Sequence, residues 1–304
     1  MSATDDIDDS AAPLIEHLAE LRTRLIRSVL AFIVGMVICF SFGSTILDFL
    51  LVPIEKTMRN LGNLNPVMQY TAPQEYFFTL IRISMVGGLA ISFPVIATQL
   101  WRFVAPGLYK NEKNAFLPFI IASPALFLLG ASFAHFIVVP LAMQFFLGFS
   151  DAASYLTALV VDGDTRKSGI DIVFNGKVNE SLDITLKMIV AFGLCFQLPV
   201  LLTLMGKAGL VSTQGLRNVR KYAVVGILLL AALVTPPDVV TQLILFVVVY
   251  GLYEVSIFLV SRVEAKREKQ LRADGYYDED DDDPLMSEFD ADEAENEDDE
   301  GDLK

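Results

Sequence analysis

The sequence predicts an all-α integral membrane protein, on three observations. Of its 304 residues, 53% are hydrophobic, and the mean hydropathy is +0.50, which is more apolar material than a soluble domain of this length needs. The apolar residues fall into six segments, at 28–52, 76–101, 116–149, 182–205, 222–234 and 239–260. Lysine and arginine are concentrated in alternate connections between these segments, as in a chain that crosses a membrane repeatedly.

Segment length predicts six transmembrane helices, of which the last two are short. A helix needs about 20 apolar residues to cross ~30 Å of hydrocarbon. The segment at 222–234 has thirteen residues, which reach only about 20 Å as a helix. It is still counted as a span because the sixth segment must return from the far side. Such a short hairpin is expected to thin the bilayer locally.

Prolines predict irregular helices within three spans, because proline lacks a backbone donor and clashes with the preceding turn. Pro94 is expected to bend span two, Pro199 span four, and three prolines the overlong span three. The long connection at 150–181 contains Asp-Gly and Asn-Gly pairs around "IDIVF", which favour a small β-hairpin.

Basic residues set the predicted orientation. With the amino terminus inside, most lie on the inner side: Arg22, Arg24, Arg27, Arg102, Lys110, Lys113, Lys207, Arg217, Arg220, Lys221, Arg262, Lys266, Arg267, Lys269 and Arg272. The outer loops hold fewer, so both termini are predicted to be cytoplasmic. The first apolar segment is too long for a cleavable signal peptide and five more follow it, so it is a permanent anchor.

The chain ends are predicted to lie outside the membrane domain, which covers 16–262. Residues 1–15 form a polar extension and 263–304 an acidic disordered tail. The net charge of −14 belongs to that tail: residues 278–304 hold 16 acidic residues and one lysine, so the rest of the chain carries +1. Cys39 and Cys195 lie in apolar runs without paired spacing, and are expected to be small buried residues.

The sequence lacks the motifs of hydrolytic, nucleotide-binding and metal enzymes, so an enzyme is not predicted. Polar residues inside apolar segments are more informative, because they are costly in lipid. Gln197 lies within span four, where it either acts on a partner or satisfies a carbonyl freed near Pro199. Glu254 in span six is either functional or paired with a basic loop residue, and Asp238 and Gln242 begin that span.

Two carboxylates are predicted at the inner membrane surface. Glu20 precedes span one, and Glu112 lies in the loop between spans two and three. They could pair within the chain, with Arg22, Arg24 or Lys113. Alternatively, carboxylates held close together could receive the guanidinium groups of a ligand in bidentate fashion.

Five motifs in order resemble the TatC family, the multispanning core component of the twin-arginine protein translocase. They are "HLAELRTRL" at 17–25, the "SFPV" of span two, "QLWRFVAPGLYKNEKN" at 99–114, "AFGLCFQLPV" at 191–200 and "LVTPPDVVTQ" at 233–242. The resemblance covers about 16–262. It implies a glove-like helical receptor in the inner membrane that binds the consecutive arginines of signal peptides on folded cargo.

The resemblance also implies roles for individual residues. The signal-peptide site would comprise Glu20, Arg22, Arg24, Phe103 and Glu112. Pro53 matches the family's proline of the first outer loop and Phe77 an aromatic residue near the start of span two. Asp238 and Gln242 match the region that contacts single-span TatA- and TatB-type partners. Further implied are a homo-oligomer within a receptor complex, lipid contact, no nucleic acid and no cofactor or metal, with transport driven by the proton-motive force.

Two departures from the family pattern qualify this picture. The family often has a glutamate where this chain has Gln197, which favours hydrogen bonding to a polar residue of a partner helix. His135 stands where the family usually has a tyrosine.

The alternative functions are a small-solute secondary transporter, favoured by proline-bent helices around a polar midplane, and a purely structural membrane scaffold.

Overall fold

The computed structural model describes residues 5–104, 117–160, 176–236 and 238–273. It is almost entirely helical, which confirms the predicted fold class. The elements are α1 (Asp5–Ser41), α2 (Gly43–Asn60), β1 (Met68–Gln69), α3 (Glu75–Val104), α4 (Leu117–Phe133), a π-helical turn (Ala134–Val138), α5 (Val139–Val160), β2 (Gly176–Lys177), α6 (Val178–Cys195), α7 (Leu198–Lys207), α8 (Thr213–Asn218), α9 (Arg220–Val234) and α10 (Val239–Ala273).

Five stretches of described helix are long and apolar enough to cross a membrane: Leu18–Ser41, Glu75–Phe103, Pro118–Phe149, Val178–Lys207 and Val239–Gln270. The predicted fifth span is helix α9, whose 15 residues extend about 22 Å. That is less than the ~30 Å hydrocarbon thickness, so the prediction of a short fifth helix is confirmed, while its crossing of the membrane stays a prediction.

The first predicted span, 28–52, is wrong as a single helix. The chain leaves helical geometry at Phe42 (φ −106°, ψ 18°), and α2 begins at Gly43. Helix α2 buries Leu47, Leu50, Ile54 and Met58, a stripe of the spacing that an amphipathic helix presents to a core. The apolar residues of α2 follow directly on those of α1 in the sequence, so the predicted segment 28–52 continued past the end of the first helix.

Spans three and four are interrupted near their prolines. In span three the irregularity is the π-helical turn, in which the Val139 amide donates to Ala134, five residues back. Pro140 follows and has no amide to donate. Span four is divided at Phe196 and Gln197, and Pro199 occupies the second position of α7, where its missing donor costs nothing.

The sixth helix is not short, which corrects the prediction. Helix α10 has 35 residues and continues through 263–273, so this part of the predicted disordered tail is helical. Glu264 accepts hydrogen bonds from both the amide and the hydroxyl of Thr213 on α8. These contacts give the polar end of α10 a partner and explain why the helix outlasts its apolar segment.

The two ends of the bundle are distinguished by their connections. At one end, here the β end, β1 and β2 pair in parallel, with Met68 opposite Gly176 and Gln69 opposite Lys177. At the other, the α8 end, α8 packs against α10. The predicted connection at 150–181 is shorter than expected, because α5 continues to Val160 and α6 begins at Val178. The central part of the predicted hairpin, 161–175, lies outside the described residues, and Gly176–Lys177 pairs with β1. Of the predicted polar extension at 1–15, the part from Asp5 onward belongs to helix α1. The remainder of the predicted tail at 263–304, from 274 onward, lies outside the described residues.

Small residues let the helices approach closely in the core. A Cβ at Gly35 of α1 would lie 2.8 Å from the Gly88 carbonyl oxygen of α3, and one at Gly130 of α4 would lie 2.5 Å from the Phe192 carbonyl oxygen of α6. Such contacts are typical of membrane helices, whose association depends on tight packing. Cys39 and Cys195 are free and buried, as predicted.

Candidate functional site

Glu20 and Arg24 form an ion pair on one face of α1, near the α8 end. Arg24 Nε donates to Glu20 Oε1 at 3.0 Å, and its Nη2 contacts the same oxygen. The Glu20 side chain is 35% exposed and the Arg24 side chain is 19% exposed. Spacing of four residues on a helix produces this contact. One of the intramolecular pairings considered from the sequence therefore exists, and it leaves Glu20 partly accessible.

The packing of α1 against α3 sets the level at which Phe103 lies. The helices are antiparallel, with Gly35 against Gly88 and Phe40 against Phe77 at 6.3 Å between ring centroids. From Gly35 back to Glu20 is fifteen residues, and from Gly88 on to Phe103 is also fifteen. Since both helices rise about 1.5 Å per residue, the Gly35–Gly88 register places Glu20 and Phe103 at about the same height along the bundle.

The remaining predicted members of this site are one exposed arginine and one residue outside the described ranges. Arg22 is exposed and makes no ion pair with another described residue. Glu112 lies outside the described residues, nine positions after Phe103. The loop that holds Glu112 begins where α3 ends, at Val104. That point is close to the level of Glu20.

Gln197 bonds within the chain rather than standing unpartnered. Its Oε1 accepts a hydrogen bond from the Ser123 hydroxyl at 2.5 Å, and its Nε2 donates to the Ser123 carbonyl at 2.9 Å. The helix break places Gln197 between α6 and α7, facing α4. Its partner among the described residues is Ser123 of α4, next to Pro124, and hydrogen bonding to a helix of a partner subunit stays a prediction.

Glu254 forms an ion pair, as the alternative interpretation of the sequence required. Arg220 Nη2, at the start of α9, lies 2.7 Å from Glu254 Oε2, with side-chain exposures of 43% and 35%. The neighbouring Tyr253 hydroxyl donates to the Leu216 carbonyl at 2.8 Å. Together these contacts join α8, α9 and α10. Neither Leu216 nor Glu264 was recognised from the sequence, because their partners are distant along the chain and carry no motif of their own.

Asp238 caps the first turn of α10. Its Oδ2 accepts from the Thr241 amide at 2.7 Å and its Oδ1 from the Thr241 hydroxyl, which satisfies a helix-start amide. Asp238 is 2% exposed, and both of its carboxylate oxygens already accept hydrogen bonds from Thr241. Gln242 is only partly buried and lies next to an exposed stripe of Val239, Leu243 and Val247.

Three predicted prolines share a local arrangement. A threonine four residues later donates its hydroxyl to the proline carbonyl, in Pro53–Thr57, Pro94–Thr98 and Pro199–Thr203. Side-chain donors of this kind help to satisfy backbone groups around prolines in membrane helices. Helix α3 runs through Pro94 without interruption. A structural role for these prolines stays a prediction.

Two aromatic contacts complete the predicted set. Phe77 is 53% exposed and packs edge-on against Phe40 of α1. His135 lies in the π-helical turn, is 4% exposed, and stacks on Phe49 of α2 at 4.6 Å. An imidazole thus occupies an aromatic position by stacking, without a hydrogen bond to any described residue.

The described part of the chain contains no cluster of three or more metal-ligating side chains. Its distinctive polar groups are instead a partly accessible Glu20 at one end, near the level of Phe103, and helix-joining contacts elsewhere. Fold and polar groups together define a multi-pass helical membrane protein whose most accessible candidate site lies at a bundle end.

Comparison with known proteins gives this class a specific identity. Residues 16–247 match the family profile described as "Sec-independent protein translocase protein (TatC)". A TatC protein from Magnetococcus marinus is 42% identical over 266 residues, covering 88% of this chain and 90% of the relative. One from Aquifex aeolicus is 37% identical over 260 residues, covering 86% of this chain and 99% of the relative.

A solved structure agrees with these sequence matches. A crystal structure of "Twin Arginine Translocase Receptor- TatC" has a TM-score of 0.66 and 38% identity, covering 82% of this chain and 99% of its own. The chain belongs to the TatC family of Sec-independent protein translocase proteins. The family is a translocase component and not a classical enzyme, which favours protein translocation over the small-solute transporter.

Proposed function

We propose that this chain is the receptor component of the twin-arginine translocase, which binds the consecutive arginines of signal peptides on folded cargo. The carrying observation is the shared level of Glu20 and Phe103 on α1 and α3. The loop that holds Glu112 leaves α3 from that level. A bound peptide would therefore find a carboxylate, an aromatic surface and the loop carboxylate at one bundle end.

The Glu20–Arg24 pair suits a site that exchanges one arginine for another. Helix-surface pairs of this spacing stabilise by only about 0.3–0.5 kcal/mol. Charge-assisted hydrogen bonds contribute about 1.5–3 kcal/mol, and a guanidinium can form two in parallel to one carboxylate. A signal arginine can thus displace Arg24, while lysine offers only a point charge. Arg24 keeps the carboxylate oriented until then.

The proposed site can be tested by photo-crosslinking of a twin-arginine signal peptide. A photoreactive residue at Phe103 should crosslink to the peptide in membranes that contain the intact chain. The double variant Glu20→Ala, Glu112→Ala should lose most of that crosslink, because both carboxylates are removed. Replacing the signal's two arginines with lysines should have a similar effect on the intact chain.

The matched control is Glu55→Ala. Glu55 pairs with Arg59 at the same spacing of four residues, but on α2, toward the β end. It should leave the crosslink unchanged. Undiminished crosslinking after removal of both Glu20 and Glu112 would overturn the proposal, provided that the variant inserts and folds normally.

We also propose that single-span TatA- and TatB-type partners dock on α10. The exposed stripe of Val239, Leu243 and Val247 offers an apolar helix face, and partly buried Gln242 beside it offers an amide. Asp238 is occupied by its cap, so the polar contact would be made by Gln242. Cysteine pairs between position 242 and a partner helix should form disulfides. Their absence along the whole stripe would contradict docking there.

The proposed orientation has both termini on the cytoplasmic side of the inner membrane, with the β end outside. The bias of basic residues toward the α8 end supports it. An impermeant thiol reagent added to intact cells should label a cysteine at Asn63, but not one at Arg272. The reverse pattern would invert the topology. A homo-oligomer and transport driven by the proton-motive force complete the proposal.

A further inference from the structure

An open groove of about 510 Å³ lies between α3, α6 and the end of α9. Apolar side chains form its floor, among them Met85, Leu186, Ala191, Leu194 and Leu233. Helix α9 contributes only its last two residues, Leu233 and Val234. The groove therefore lies where the short helix α9 stops and leaves α3 and α6 without a neighbouring helix among the described residues.

Three charged residues line the groove together with this apolar floor. Asp183 Oδ2 lies 2.6 Å from Lys187 Nζ, and Asp183 Oδ1 lies 3.5 Å from Arg82 Nη1. Two cations therefore share one carboxylate, which leaves a local charge of +1. Arg82 also donates to Asn179 at 3.1 Å. All three side chains are between 38% and 65% exposed, so a ligand can reach them.

The length of the groove fits one leaflet of a bilayer. Along α6, its lining runs from Asp183 to Leu194, eleven residues that correspond to about 16 Å. Half of a ~30 Å hydrocarbon core is about 15 Å. Asp183 and Lys187 lie in the first three turns of α6, and Arg82 lies near the start of α3, next to the β end. The lining beyond them along α6 is apolar. A molecule with an anionic head and a chain of one-leaflet length has the matching pattern.

We propose that this groove binds one anionic phospholipid of the leaflet at the β end. The phosphodiester would lie at Arg82 and Lys187, and an acyl chain would lie along Ala191 and Leu194 against Leu233. The bound chain would cover the apolar surface that α9 leaves open.

Native mass spectrometry of the delipidated full-length protein tests the site, with phosphatidylglycerol and phosphatidylcholine titrated separately. Phosphatidylglycerol should bind about fivefold tighter, as expected for one uncompensated cation near a membrane surface. The double variant Arg82→Gln, Lys187→Gln should abolish this preference. Ala191→Phe should weaken both lipids, because it fills the floor and leaves the charges in place.

The matched control is Lys56→Gln, Lys177→Gln, which removes two exposed lysines outside the groove and should keep the preference. Glycerophosphoglycerol, the headgroup without chains, should not displace the lipid. Equal affinities for the two lipids, or an unchanged preference in Arg82→Gln, Lys187→Gln, would overturn the proposal. So would displacement by the chain-free headgroup. Melting temperatures of all variants identify any that fail to fold. If Ala191→Phe is among them, the double variant Arg82→Gln, Lys187→Gln remains decisive.

Discussion

Gln197 and Ser123 exchange two hydrogen bonds across the boundary between the fourth and third spans. The amide of Gln197 both accepts from the Ser123 hydroxyl and donates to its carbonyl. A carboxylate could accept but not donate in this arrangement. The amide at this position is therefore chemically matched to its partner, and its effect is to join α4 to the break between α6 and α7.

Replacing Gln197 with alanine should lower the stability of the folded chain. Ser123 is 1% exposed, and a buried polar group left without its partner costs about 1–3 kcal/mol. Ser123→Ala should also destabilise, and the double variant should lose less than the two single variants combined. Thermal unfolding in detergent measures all four proteins. Strictly additive losses would show that the two side chains do not interact, and Ser44→Ala, at an exposed position, should have no effect.

Enlarging Gly88 should separate α1 from α3. A Cβ there would lie 2.7 Å from the Met36 amide nitrogen, and overpacking of this kind costs about 1–3 kcal/mol. Gly88→Ala should therefore lower the melting temperature. It should also weaken signal-peptide crosslinking at Phe103, because the shared level of Phe103 and Glu20 depends on this contact.

The control for this substitution is Gly226→Ala on α9. A Cβ at Gly226 meets nothing within 4 Å, and alanine is about 1 kcal/mol more favourable than glycine in a helix interior. Gly226→Ala should leave stability unchanged or raise it. If Gly88→Ala behaved like Gly226→Ala, the close packing of α1 on α3 would be incorrect.

Asp238 and Gln242 should separate stability from partner binding. Asp238→Ala removes the cap of α10 and should cost about 0.5–2 kcal/mol, whereas Asp238→Asn keeps a capping oxygen and should cost less. Gln242→Ala should leave the melting temperature unchanged and weaken disulfide formation with a partner helix at neighbouring Leu243. Equal destabilisation by Asp238→Ala and Asp238→Asn would argue against the cap.

The sequence predicted the helical class and most spans because long apolar runs have few alternative structures. It failed where pattern and packing diverge. The apolar run through Leu50 joins two helices, because hydropathy does not register the backbone turn at Phe42. The pairings of Gln197 with Ser123 and Glu264 with Thr213 join residues 74 and 51 positions apart, a relation that no local pattern encodes. The alternatives for Glu20 and Glu254 were visible, but only packing could decide which pairing forms.

Truncation should locate the boundary between the folded chain and its acidic end. Ending the chain after 273 removes an acidic segment whose composition predicts disorder, so the melting temperature should stay unchanged. Ending it after 262, the boundary predicted from the sequence, removes Glu264 and with it both hydrogen bonds to Thr213. Hydrogen bonds to a charged group contribute about 1.5–3 kcal/mol, and the partly buried setting places the expected loss toward the lower value.

Glu264→Ala in the full-length chain should reproduce most of the loss caused by ending at 262. Glu268→Ala is its matched control, because Glu268 lies one turn further along α10, is exposed, and pairs only with Arg272 among the described residues. Thermal unfolding of the four proteins, compared with the intact chain, separates the contributions. If ending after 262 were as stable as ending after 273, the contact between α10 and α8 would contribute nothing, and the helical continuation beyond 262 would follow from helix propensity alone.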